Sequence, residues 1–169
     1  MANTFTLIET KTLVSTVTSV TFNTIPQTYT DLQLVMSTRT TNSATREQMF
    51  IYPNGSTSNN SRIVLYGYDN ATPAGGSGTD KLIGWQNGGS STSNTFSNIS
   101  VYFPNYRTSN NKAYSADLVT ENNSSSVYIL NFSASLWADL TAISSIEIAC
   151  ETNSFAINSS FYLYGIKNS

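Results

Sequence analysis

Asn98-Ile99-Ser100-Val101-Tyr102-Phe103 changes character at every step. Ile99, Val101 and Phe103 fall on one side and Asn98, Ser100 and Tyr102 on the other. That period of two belongs to a half-buried β-strand, because successive side chains of an extended chain point to opposite faces. The same alternation recurs outward in both directions. Leu32, Leu34 and Met36 interleave with Gln33, Val35 and Ser37; Tyr128, Leu130 and Phe132 with Val127, Ile129 and Asn131; Phe161, Leu163 and Gly165 with Tyr162, Tyr164 and Ile166. Threonine crowds residues 12–24, where its β-branch suits a pleated surface and builds a polar face without charge.

Strands are predicted at residues 4–10, 13–22, 30–39, 47–52, 62–68, 81–86, 95–103, 112–121, 126–134, 144–150 and 160–166. Between them lie segments rich in Gly, Pro, Asn and Ser, the residues that turns demand. They are Pro53-Asn54-Gly55, the mobile loop Asp69–Thr79, Asn87–Asn94, Pro104–Asn111 and Asn122–Ser125. Only Ser135–Ala142, around Trp137, Asp139 and Leu140, reads as a turn of helix. Many short strands without helical crossovers predict one all-β domain over residues 1–169, an antiparallel β-sandwich of jelly-roll type.

The chain has 169 residues, no histidine, 8 Lys+Arg and 10 Asp+Glu, for a net charge of −2. Ser, Thr and Asn make up about two residues in five, well above ordinary usage. Such a composition builds a hydrogen-bonding surface rather than a proton-transfer machine. Without imidazole there is no Ser–His or Cys–His nucleophile and no ordinary zinc site. Asp117/Glu121 and Glu147/Glu151 each share a strand face four residues apart, about 13 Å, too far for a glycosidase pair. The expectation is a protein that is not an enzyme and holds no cofactor or metal. The cations are scattered singly, which argues against nucleic acid as a partner. Cys150 alternates with Ile146 and Ile148 and reads as a small buried residue rather than a reactive thiol. The N-terminus has no basic and apolar leader, and no apolar stretch reaches the length of a membrane span.

Three aromatic residues are candidates for surface or glycan contact: Trp85 before Gln86-Asn87-Gly88-Gly89, Tyr106 in the Pro104–Asn111 loop, and Trp137. Loop-edge rings beside Asn, Gln and Ser stack on sugars or anchor a protein partner. The alternative is that they cap the ends of the core. The runs Val127–Phe132 and Phe161–Ile166 are apolar or aromatic on both faces. A strand of that kind needs cover on both sides. One face can meet the core, while the other meets a neighbouring subunit or an overlying loop.

Taken together, Val20-Thr21-Phe22-Asn23-Thr24-Ile25-Pro26-Gln27-Thr28-Tyr29-Thr30-Asp31-Leu32, Ile143–Ile148 and the ending Ser160-Phe161-Tyr162-Leu163-Tyr164-Gly165-Ile166 resemble small structural proteins of tailed bacteriophages, many of them from aquatic and cyanobacterial phages. The resemblance implies a virion component assembled in the host cytoplasm. Its role would be that of a capsid decoration (cement) protein or a tail-fibre or tail-tip module. It implies self-association, typically as a homotrimer, and contact with virion proteins such as the major capsid protein. A short chain with little N-terminal extension favours decoration over a fibre. A carbohydrate-binding module for host glycan is the alternative.

Overall fold

The computed structural model describes residues 4–68, 71–120 and 128–167. Of the sequence expectations, Asp69, Asn70, Glu121, Asn122–Ser125 and Val127 lie outside the described residues. The described chain forms twelve strands: β1 (Phe5–Thr12), β2 (Ser19–Phe22), β3 (Asp31–Thr38), β4 (Arg46–Pro53), β5 (Asn60–Tyr68), β6 (Ala74–Gly78), β7 (Leu82–Asn87), β8 (Ser97–Phe103), β9 (Lys112–Thr120), β10 (Ile129–Trp137), β11 (Ile146–Cys150) and β12 (Ser160–Ile166). Two antiparallel sheets result, one ordered β1-β12-β3-β8-β9-β10-β5-β6 and the other β2-β11-β4-β7.

The strand order resolves into a roll with two insertions. Strands β1-β12-β3-β8 and β2-β11-β4-β7 are two four-stranded sheets through which the chain passes back and forth, the two-sheet, eight-strand plan of a jelly roll. The hairpin β5–β6 is inserted between β4 and β7, and β9–β10 between β8 and β11. Both insertions extend the same edge of the larger sheet. They meet where β5 pairs with β10, from Ile129↔Tyr68 to Trp137↔Asn60.

Between the sheets, Leu32, Leu34, Met36, Ile99, Val101 and Phe103 from the larger sheet meet Phe22, Met49, Ile51, Ile146 and Ile148 from the smaller. These are the residues the alternating pattern places on one face, and burying each stabilises the fold by about 1.5–3 kcal/mol before entropy is counted. One end of the core is closed by a polar corner built from the stretches that carry the bacteriophage resemblance. The Tyr29 ring lies flat on Gly165, where a Cβ would be 2.3 Å from the ring. Thr30 N–H donates to Ile166 O at 2.8 Å, and the Gln27 amide donates to Ile25 O and Ile143 O at 3.0 and 2.9 Å. The Asp31 carboxylate accepts from Asn105 N–H and Tyr102 O–H, each at 2.8 Å. The early and late motifs are therefore two sides of one contact.

Three expectations need correction. Ser135–Ala142 makes no helical turn: β10 continues through Trp137, held in register with Lys112 and Asn60 on either side. Ala74–Gly78, expected within a mobile loop, is strand β6, because β5 offers it a free ladder of backbone donors and acceptors. The strand expected over 13–22 is confined to Ser19–Phe22, preceded by an isolated bridge from Val17 to Phe155.

Candidate interaction surface

Strand β10 is built inside out. Its inward residues are Ile129, Asn131, Ser133, Ser135 and Trp137, all buried, while Leu130 and Phe132 face outward. The reason lies across the sandwich, where β7 presses on the inserted hairpins. A Cβ placed on Gly84 would come within 3.1 Å of Asn131 and of Leu118. The layers are close there, with Gly84 packed directly on the Asn131 side chain. The amide of Asn131 and the hydroxyl of Ser133 are buried without a hydrogen-bond partner, a cost of about 1–3 kcal/mol for each such group.

The displaced apolar residues gather outside. Phe132 on β10 pairs across the sheet with Leu65 on β5, and Ala134 pairs with Ile63. Leu130 is flanked by Val119 on β9. Fractional exposures are 65% for Ile63, 54% for Leu65, 51% for Phe132, 44% for Leu130 and 37% for Val119. All five belong to inserted hairpins. Asp117, opposite Phe132, is the charged residue among them. Further along the same face, over β8, β3 and β12, the outward residues are Asn98, Ser100, Tyr102, Gln33, Val35, Tyr162 and Tyr164. The outer face is thus hydrogen-bonding over the middle of the roll and apolar in the half formed by the insertions, with a smaller apolar spot, Phe5 and Leu7, at the β1 edge.

The apolar half also has relief. Ile63, Leu65 and Phe132 stand around an open hollow of about 490 Å³, lined also by Ala134, Ser115 and Asp117. On the other side of Ile63 a second hollow, about 500 Å³, is bounded by Leu136, Ser61 and Ser77.

The three aromatic candidates separate. Tyr106 is fully buried, its loop folding inward so that its hydroxyl donates to Pro26 O. Trp137 is buried at the end of β10. Neither can be a surface or glycan contact; both cap the core. Trp85 alone reaches solvent, half-buried at the seam between β7 and β5, its ring edge-on to Tyr66 with centroids 5.2 Å apart. Beside it the Arg46 guanidinium stacks 4.1 Å over the Tyr68 ring. A gap of about 70 Å³ opens between Arg46, Tyr66, Trp85 and Ile129. The chain matches no known family, no curated protein and no solved structure.

Several charged side chains are engaged within the molecule. Arg39 donates to the carbonyls of Gly89, Ser91, Thr92 and Thr95, clamping the loop after β7. Arg62 grips Asp80 in a two-pronged pair at 2.5 and 2.9 Å, which, with the Leu82 N–H, holds the Asp80 carboxyl below its usual range despite partial burial. Burial pushes the Glu47 carboxyl up, but the backbone N–H groups of Thr152 and Asn153, each 2.9 Å from one oxygen, together with side-chain donors, outweigh it and leave the group below its ordinary value. Burial, and then the nearby Glu47 charge, push the Cys150 thiol well up. Among the described residues no three Cys, Asp or Glu gather as metal ligands.

Sequence reasoning named Leu130 and Phe132 but not Ile63, Leu65 or Val119. The signal was present: Ile63-Val64-Leu65 is apolar on both faces, as Ile129-Leu130 is.

Proposed function

We propose that this chain is a non-enzymatic structural protein of a bacteriophage virion, acting as a capsid decoration (cement) subunit on the particle exterior. The observation that carries the reading is the apolar half-face on the inserted hairpins. A contiguous exposed apolar surface of this size is a mark of an interaction site. Strands β5, β9 and β10 add that surface beside the stretch of β8, β3 and β12 whose outward residues are mostly polar or tyrosine. The convergence of the early and late motifs at Tyr29 and Gly165 supports the resemblance to phage structural proteins by giving both motifs one physical purpose. Jelly rolls recur in viral capsid and lectin domains, an association of fold rather than of site.

The test is immunogold electron microscopy of intact virions from the source lysate. Gold over the head shell is the expected result; gold at the tail would move the role to a tail module, and unlabelled particles would remove the virion role.

A second reading, recognition of host glycan, is favoured by Trp85 alone. Its partly open ring beside Tyr66 and Arg46 offers a stacking surface with a hydrogen-bond donor close by. Binding on a glycan array that disappears in Trp85→Ala would establish it over decoration.

A further inference from the structure

We infer that the apolar half-face seats a second copy of this chain, face to face, with the inserted hairpins of the two copies interdigitating. This deepens the structural-protein reading, on which it rests for its biological setting, while its geometry stands on the face alone. Three observations select the occupant.

The first is area. At their exposures, Ile63, Leu65, Val119, Leu130 and Phe132 present on the order of 400 Å². That is about half of the ~800 Å² each partner contributes to a stable contact, a proportion suited to a central apolar core with a polar rim. Here Ser61, Ser77, Ser115 and Asp117 supply the rim.

The second is shape. The face carries both parts of a self-complementary joint, since exposed Ile63, Leu65 and Phe132 stand beside open hollows of about 490 and 500 Å³ that both reach Ala134. Under a two-fold axis lying in the plane of contact, each copy's ridge enters the other's hollow. That reciprocal exchange is what an isologous interface requires.

The third is charge. With Asp117 at the rim and a net charge of −2 for the whole chain, no strong field repels a second copy or selects a charged partner.

Sedimentation equilibrium of the full chain, from micromolar to submillimolar loading, tests this directly. The wild type is expected to move from one chain mass towards two as concentration rises. The double variant Leu65→Thr/Phe132→Thr keeps β-propensity while removing the ridge. It should weaken association at least about tenfold, because centrally buried anchors carry most of an interface's energy. Val35→Thr, on the polar half of the same face, should leave association unchanged. Circular dichroism and thermal midpoints establish that the variants fold; if the double variant does not, Ile63→Thr is measured in its place with the same expectation.

A wild type of one chain mass throughout overturns the inference, and so does an assembly that the ridge variants leave intact. Gold labelling of virions by a strictly monomeric protein would retain the virion role and remove this contact. A dimer broken by Leu65→Thr/Phe132→Thr alongside unlabelled particles would do the reverse.

Discussion

Replacing Gly165 with alanine would drive a methyl group into the Tyr29 ring, which already lies where a Cβ would sit. Overpacking of this kind costs about 1–3 kcal/mol, and the upper end is expected here because Thr30 is tied by its backbone to Ile166 immediately beside the contact. Chemical denaturation of Gly165→Ala should show that loss, and in a Tyr29→Ala background the same substitution should cost much less, the coupling expected of residues in contact. Cys150 gives a second residue-level expectation. Its thiol is held protonated by burial and the nearby Glu47 charge, so a thiol reagent at neutral pH should label native protein far more slowly than unfolded protein; equal rates would contradict the placement. Single residues were also where sequence reading was weakest. Trp85, Tyr106 and Trp137 all sit near turn-forming residues, but whether a loop folds its ring inward depends on a distant acceptor. For Tyr106 that acceptor is Pro26 O, eighty residues away, which no local pattern reveals.

At the scale of strands, the period of two was almost fully legible: the predicted segments overlap every observed strand but β6, and the alternating residues of β3, β8 and β12 are the core. Periodicity marks two faces without saying which one is inside. In β10 the close approach of Gly84 on the opposite layer to Asn131 goes with a polar inward residue there, while Leu130 and Phe132 face outward. Glycine-rich β6 was read as a loop because its propensity is poor; pairing with β5 overrides it. Since the Ser133 hydroxyl is buried without a partner, Ser133→Ala should raise stability by about 1 kcal/mol, the reverse of most core substitutions. An equilibrium denaturation midpoint that falls would show that the hydroxyl has a role in the core.

For the whole molecule, the absence of histidine and the settled carboxylates set the response to pH. Glu47 and Asp80 hold their protons less readily folded than unfolded. Their contribution is therefore fully present above the unfolded values near 4 and is lost as pH falls through the lower folded ones. The thermal midpoint should stay flat from about pH 6 to 8 and fall on the acid side. Glu47→Gln should flatten that acid limb and cost about 1–2 kcal/mol at neutral pH, since a buried acceptor of several N–H donors is weakened. The jelly-roll plan was readable from strand number and spacing, whereas the two insertions were not, because their partnership joins segments far apart in sequence. That separation has a consequence in time. One half of the outward patch, Ile63 and Leu65, belongs to one hairpin, and the larger half, Val119, Leu130 and Phe132, to another hairpin that begins only after β8. Neither half is a surface until β5 and β10 zip together, and closing so long a loop is slow unless the roll has already brought the two hairpins side by side. In pulsed hydrogen exchange during refolding, the β5–β10 amides should gain protection after those of β3, β8 and β12. The surface proposed to seat a second copy would then be the last to exist, and a nascent chain would become adhesive only once it had finished folding.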